Sequence, residues 1–446
     1  MILRGATILT LDPDSRVERA DLRIAPEGRI DALLPPGRTG HAGEAEIDLA
    51  GRIIMPGLVQ THIHLCQTLM RGLAERRTLA VWLHERIWPL EAAHDASSLR
   101  ASARLGLLEL ATGGTTAILD MGTTRNIEAV LEASAESGLR VCTGTALMDE
   151  GAGTPPSLLR NTLEALEETR RLIPALREGR VSLCLAPRFI PSVSEEGWRA
   201  VASLAREADL LIHTHACETS EENAFVREKT GSTPFAYLEK VGAASARLRA
   251  AHGVWICDED RAVIRRTGSA VIHCPGSNAK LGSGTADVLR LWEDRVPVGI
   301  GCDGAACNNR LDVWEEMRRA AAAISLLHGP RAVEPERILA MATRAGAELL
   351  GLGARIGSIA AGREADLVVL DPSIGGGLWS AGTDVHARVL YGAGREHVEQ
   401  VWVQGEMIVK RGRHRSLSTA RVLREASEAA RRLEQRAEAT WQSLSN

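Results

Sequence analysis

The sequence predicts an α/β fold, a (β/α)8 TIM-like barrel accompanied by a second, discontinuous β-sandwich domain drawn from both termini. Three observations carry this. Between Leu58 and Gly304 eight short β-like runs alternate with helical stretches. On either side of that region the pattern changes to short alternating strands punctuated by Gly, Pro and Asp turns. A chain of 446 residues is also too long for most simple single-core domains.

Taken in order, residues 1–55 supply the first part of the sandwich, with MILRGATIL and ADLRIAP as its clearest strands. The barrel spans residues 56–356. Its strands are LVQTHIHL, TTAILDMG, RVCTGTALM, VSLCLAPRF, LLIHTHACE, LRAAHGVWI, AVIHCPGSN and VPVGIGCDG. The segments between them, such as Ser98 to Thr112 and Asn126 to Ser137, carry apolar residues at helical spacing and stop at glycine. Strand and helix alternating in this way over roughly 250 residues is what a (β/α)8 barrel requires. Residues 357–415 return to the style of the amino terminus with EADLVVLDP and EQVWVQGEMIVKRGR, and are expected to pair with it. Residues 416–446 place Val422, Ala426, Ala429, Leu433, Ala437 and Trp441 on one helical face, which is expected to pack on the body.

Composition narrows the function classes. A content of 45% hydrophobic and 25% charged residues is ordinary for a globular protein. No segment reaches the roughly 18 uninterrupted apolar residues of a membrane span, and Met1 to Asp14 lacks the basic-then-apolar layout of a signal peptide, so a cytoplasmic location is expected. The net charge is −4 and the arginines are interleaved with acids. That leaves no phosphate-backbone footprint, and points to a small-molecule substrate with neither nucleic acid nor membrane as partner. The eight cysteines, Cys66, Cys142, Cys184, Cys217, Cys257, Cys274, Cys302 and Cys307, contain no C-x-x-C and are expected to be reduced, buried thiols.

In a barrel of this kind the carboxyl ends of the strands face the active-site mouth, so polar residues there are tested first. Strand one ends in His62-Ile63-His64, and residues two apart on a strand project to the same side. Strand five ends in His213-Thr214-His215-Ala216-Cys217-Glu218, strand six holds His252, and strand eight ends in Cys302-Asp303-Gly304. Three histidines and a carboxylate suit zinc with an open position for water. On strand five His213 competes with His215. His215 is preferred, because Glu218 then sits just beyond the ligand at the mouth. Lysines occur only at 229, 240, 280 and 410, so none lies between His64 and His215 to form a strand-four carbamate bridging two metals, and a single ion follows.

The run Pro56-Gly57-Leu58-Val59-Gln60-Thr61-His62-Ile63-His64, then His215-x-x-Glu218, His252 and Asp303-Gly304, resembles the amidohydrolase superfamily, and within it the deaminase and triazine-hydrolase branch. The resemblance spans nearly the whole chain. It implies one zinc per subunit, with Fe2+ as an alternative, on His62, His64, His215 and Asp303. It also implies Glu218, His252 and Asp303 as the groups that handle protons and orient water during hydrolytic deamination. A homo-oligomer, dimer or tetramer, is expected.

For the substrate, Gln67 stands where deaminases of this branch commonly hold the base, and Trp82 and Glu91 resemble the pair with which S-adenosylhomocysteine and methylthioadenosine deaminases hold ribose. A loop cap is the competing role for Gln67. Pro187-Arg188-Phe189 is instead closer to guanine deaminase, with Arg188 either a donor to a ring carbonyl or sugar oxygen or part of a structural salt bridge. The ribose pair is weighed above the arginine, which selects an adenine nucleoside: 5′-deoxyadenosine, methylthioadenosine or S-adenosylhomocysteine. Guanine, 8-oxoguanine or pterin deamination, or triazine amino- or chlorohydrolysis, is the alternative. Ser277-x-x-Lys280 and Lys229-Thr230-Gly231 imitate penicillin-recognising enzymes in reversed order and without S-D-N, and are rejected as chance matches. H-x-E followed by P-C-x-x-C is absent, as are Walker A and H-E-x-x-H.

Overall fold

The computed structural model describes residues 1–37, 44–176, 179–374 and 384–444, with side chains described as far as residue 438. The strands, in chain order, are β1 (Ile2–Leu9), β2 (Val17–Ile24), β3 (Ile30–Leu34), β4 (Glu46–Asp48), β5 (Ile53–Pro56), β6 (Leu58–His64), β7 (Thr115–Asp120), β8 (Arg140–Thr143), β9 (Ala146–Leu147) and β10 (Val181–Leu183). They continue as β11 (Ala186–Pro187), β12 (Ile212–Ala216), β13 (Leu248–His252), β14 (Ala270–His273), β15 (Val298–Ile300), β16 (Asp303–Gly304), β17 (Leu367–Leu370), β18 (Val398–Val403), β19 (Glu406–Lys410) and β20 (Arg413–His414).

From β6 to β16 every ladder is parallel. One sheet runs β10-β8-β7-β6-β16, a second β12-β13-β14-β15, and β11 pairs β9. Single parallel bridges, Leu185 to Ile212 and Phe189 to His215, join the first group to the second. Strands β6 and β7 are buried along their whole length, as parallel strands covered on both faces must be. Three of the eight expected runs are interrupted, giving β8/β9, β10/β11 and β15/β16. At the last break the cause is crowding: a Cβ on Gly301 would lie 2.5 Å from the His62 carbonyl oxygen. The chain bends there and re-pairs, with Asp303 opposite Ile63 and Gly304 opposite His64. That bend brings the strand-eight aspartate beside the strand-one histidines.

Both termini contribute to a nine-stranded sheet in the order β20-β19-β18-β17-β5-β1-β2-β3, with β4 on β1. The hinge of this arrangement is β5, parallel to β1 and antiparallel to β17, with Ile53 opposite Leu370. The expected second, discontinuous β-sandwich domain drew on both flanks, and the short β5 joins those flanks through one continuous set of ladders. Arg140 of β8 is buried against Asp366 at 2.8 Å and bonded to Glu364, which ties this sheet to the parallel strands. Helices fall where the glycine stops put them: Ala96–Thr112 ends at Gly113 and Ile127–Ser137 at Gly138. The last helix, Thr419–Leu444, buries Val422, Ala426, Ala429, Leu433 and Ala437. Arg104 to Glu425 (2.8 Å) and Arg436 to Asp95 (2.9 Å) fasten it to the helix Ala96–Thr112 and its cap. The Trp441 side chain lies outside the described residues. All eight cysteines are free thiols, seven buried and Cys257 exposed. Among the described residues no helix is long and apolar enough to cross a membrane.

Candidate metal centre and active site

Alternation along β6 and β12 sends His62, His64, His213 and His215 inward in two layers. In the lower layer His62 Nδ1 meets His213 Nε2 at 2.8 Å. In the upper layer His64 Nε2 and His215 Nε2 stand 3.1 Å apart, and Asp303 Oδ1 lies 3.2 Å from Nε2 of both His62 and His64. The four potential ligand atoms of His62, His64, His215 and Asp303 all fall within 4.8 Å of one another.

The donor chemistry fits a divalent ion. Burial holds the His62 imidazole down to about 4 and His215 well below its ordinary value, so both rings are neutral near pH 7. His215 donates its Nδ1 hydrogen to the Arg188 carbonyl (2.6 Å), which leaves a bare Nε2 lone pair aimed at His64. Facing lone pairs beside a carboxylate are repulsive unless a cation lies between them. Ligands about 2.0–2.1 Å from a tetrahedral zinc stand roughly 3.3 Å apart, close to the separations found. His213 does not join this set. It braces His62 from behind, the role an outer hydrogen-bond partner plays for a metal-bound histidine.

Glu218 and His252 lie next to the four donors, with His252 Nε2 3.5 Å from Glu218 Oε2 and 3.9 Å from Asp303 Oδ2. Burial, with the Asp303 and Glu222 charges adding to it, pushes the Glu218 carboxyl up to about 7. Burial alone would lower His252, but the charges of Glu218 and Asp303 and its bond to Asn278 outweigh it and raise this imidazole. Three non-glycine residues here, Cys217, His252 and Asp303, have φ of 55°, 77° and 61°. Left-handed backbone at such residues is costly and persists where the surroundings over-determine it.

The pocket in front of these groups, about 400 Å³ and open to solvent, is lined by His64, Gln67, Trp82, Arg188, His215, Glu218, His252 and Asp303, with apolar walls from Leu79, Leu83, Phe189 and Leu281. Glu91 and Arg188, weighed as rivals in the sequence, form one buried bidentate ion pair, with the Glu91 side chain only 8% exposed. Gln67 Nε2 also donates to Glu91 Oε1 at 3.0 Å. With the Cys66 thiol 4.0 Å from Oε1 as a fourth donor, a carboxylate of about four acceptor positions is full, so Glu91 alone has no room for two ribose hydroxyls. The Gln67 carbonyl oxygen and the Trp82 indole nitrogen are buried without partners among the described residues.

The helix between Trp82, on the pocket wall, and Glu91, which lies behind the wall against Gln67 and Arg188, is irregular. Leu79–Trp82 and Trp88–Ala92 are α-helical, but Leu83–Ile87 is a π-turn closed by the Trp88 amide on the Leu83 carbonyl. Pro89 favours it, since proline cannot donate and its ring clashes with the carbonyl four residues back in a regular helix.

The residues that sequence reasoning missed lie one layer out. Ser277 donates to Asp303 Oδ2 (2.6 Å), Asn278 accepts from His252 Nδ1 (2.8 Å) and Ser283 donates to Glu218 Oε1 (3.3 Å). Asp120, at the end of β7, accepts from the Leu65 amide beside His64. Ser277 and Asn278 lie in the short helix Pro275–Leu281 that follows β14, at the same end of the strands as the candidate ligands. The Ser277-x-x-Lys280 spacing itself is indeed accidental, since Lys280 turns away to Glu75.

A family model described as Amidohydrolase family matches residues 53–408. The chain is similar to a 5-methylthioadenosine/S-adenosylhomocysteine deaminase of Haloarcula marismortui, 38% identical over 373 residues that cover 83% of this chain and 84% of the relative. Among solved structures it is similar to an adenosine deaminase from Xanthomonas campestris with bound zinc, at TM-score 0.90 and 29% identity, covering 97% of this chain and 98% of that one. It is also similar to an atrazine chlorohydrolase from Arthrobacter aurescens complexed with zinc, at TM-score 0.88 and 26% identity, covering 96% and 99% of the two chains.

Proposed function

The chain belongs to the amidohydrolase family, and from that premise we propose that it is a zinc-dependent deaminase of adenine nucleosides, with 5′-deoxyadenosine, methylthioadenosine and S-adenosylhomocysteine as the substrate class. The observation that carries the reading is the convergence of three imidazoles and a carboxylate beside Glu218 and His252, at the floor of a pocket walled by Gln67, Trp82 and Arg188. His62, His64, His215 and Asp303 would hold the zinc. When bound there it supplies Lewis acidity and lowers the pKa of water from about 15.7 toward roughly 7.

The protein's own groups then divide the proton work. Asp303 receives the proton that water gives up as it adds to the amino-bearing ring carbon. Glu218, whose carboxyl burial pushes up, delivers a proton to the adjacent ring nitrogen, so charge does not build up in the ring. His252, between Glu218 and Asp303, orients the incoming oxygen. Asp303 passes its proton to the amino nitrogen and the remaining hydroxyl proton returns to Glu218, so that water is consumed, the C–N bond breaks, and ammonia leaves. At the sugar, Arg188 presents guanidinium N–H groups not used on Glu91, and a ribose hydroxyl takes the place of the long Cys66 thiol contact on Glu91, so the ion pair acts as one ribose clamp.

We assign this chemistry to a closed eight-stranded barrel over residues 56–356, supported by the parallel ladders and by the bridges of Leu185 and Phe189. The nine-stranded sheet, from residues 1–55 and 357–415, forms a second domain, and residues 416–446 carry the terminal helix. Arg188 at the pocket wall also favours a second reading, a guanine-type base or a triazine. Glu91→Gln separates the two. It should raise KM for methylthioadenosine about tenfold or more, each charge-assisted bond being worth roughly 1.5–3 kcal/mol. An unaltered KM for nucleosides would remove Glu91 from the clamp.

A further inference from the structure

We propose that the segment Ser277–Ser283, pinned from outside by Trp255, is a single positioning element for all three proton-handling groups. The proposal rests on the roles given above to Asp303, His252 and Glu218. Each is held by a different side chain of this one segment: Ser277 on Asp303, Asn278 on His252, Ser283 on Glu218. All three are buried, at 0%, 1% and 4% exposure, and none lines the pocket, so they act through their partners and not on substrate.

The segment is anchored at both ends. At its start the Gly276 amide donates to buried Glu316 (2.7 Å), and a Cβ at Gly276 would fall 2.4 Å from Glu316 Oε1, so only glycine allows the approach. Asn308, bonded to the same Glu316, also donates to the Cys302 carbonyl beside Asp303. At its end the Ser283 amide turns back onto the Asn278 carbonyl (2.9 Å), and the Trp255 indole donates to the Ser283 carbonyl (2.8 Å). The Trp255 amide reaches the Cys217 carbonyl (2.8 Å), and Asn223 holds the Trp255 carbonyl (2.7 Å). Trp255 thus locks Ser283 to the backbone flanking Glu218, although its own side lies 48% exposed. Because Asn278 accepts from His252 Nδ1, the other ring nitrogen is turned toward Glu218 and Asp303. One short, doubly anchored stretch therefore sets the relative spacing of three groups that come from three different strand ends.

A misplacement of about 1 Å in reacting groups costs on the order of 10²-fold, and residues that do not touch substrate should act on kcat with KM left alone. The test uses zinc-loaded full-length Ser283→Ala, Ser283→Thr and Trp255→Phe, assayed for ammonia release from methylthioadenosine, with zinc content and melting temperature measured alongside. Ser283→Ala and Trp255→Phe should lose about 10- to 100-fold in kcat at native KM, zinc content and melting temperature, and Ser283→Thr should recover most of it. Native kcat in both variants, or a threonine that fails to rescue, overturns the proposal. A second arm does not depend on turnover: Ser277→Ala should give up zinc to a chelator about 10- to 100-fold more readily, and unchanged zinc affinity contradicts the role of Ser277. If the native protein releases no ammonia from any nucleoside, the functional reading fails by itself and the zinc arm still decides Ser277.

Discussion

His213 and His215 stand two residues apart on β12, yet only His215 presents a free nitrogen to the cluster, while His213 spends its Nε2 on His62. Their substitutions should therefore differ in kind. His215→Ala should be strongly zinc-depleted by elemental analysis after dialysis, whereas His213→Ala should keep a complete ligand set and weaken zinc by about 10- to 100-fold. Full zinc in His215→Ala would show the wrong histidine has been assigned. Glu218 gives a second residue-level prediction, through pH. Its folded value, about 7, lies above the ordinary 4.5 of a glutamate, so between these values the folded state binds the extra proton. Stability from this group is present below about 4.5 and is lost as pH rises through about 7. In metal-free protein, Glu218→Gln lacks that loss, so its melting temperature relative to native should rise from pH 5 to pH 8. With zinc restored it should retain metal and lose about 10²–10⁴-fold in turnover. A melting difference independent of pH contradicts the buried acid. The six candidate residues His62, His64, His215, Glu218, His252 and Asp303, which the structure brings together, were legible because they stand at or just past strand ends. Ser277, Asn278 and Ser283 were not, because a hydrogen bond between distant segments leaves no spacing in the chain.

At the scale of elements, helical periodicity misleads between Trp82 and Glu91. Nine residues of regular helix turn through about 900°, which sets the two on opposite faces; a π-turn takes up one extra residue and leaves them roughly 80° apart. Pro89 is the sequence mark of this irregularity, but a proline in a helix reads equally as a start or a kink, so the shared face was legible only through family likeness. Deleting exposed Glu85 should restore the regular register and carry Trp82 off the pocket wall. KM for nucleosides should then rise about tenfold or more at unchanged zinc content. A native KM in the deletion variant would show that the π-turn has no part in recognition. The interrupted strands β8/β9, β10/β11 and β15/β16 have the same origin as this miss. Each run is mainly apolar, so local pattern predicts one strand, and at Gly144 and Gly301 the break comes from close approach of the Cys184 and His62 carbonyls.

At the scale of the whole molecule, the termini meet through β5 and β17, and Arg140 carries the junction into the parallel strands. Likeness of style between the two flanks was enough to predict that they pair. It could not predict the strand order, because that depends on which edges β5 leaves open. The same limit applies to Arg188 and Glu91, 97 residues apart and each plausible alone. Only their contact makes them one ion pair, and on that pair the proposed substrate class turns. The most direct test is kcat/KM for ammonia release by the zinc-loaded native protein from 5′-deoxyadenosine, methylthioadenosine, guanine, 8-oxoguanine and an amino-triazine, measured side by side. The nucleosides should be preferred by a wide margin, about tenfold or more for each sugar hydrogen bond that a free base cannot make. A free base or the triazine turned over as well as methylthioadenosine would contradict the account.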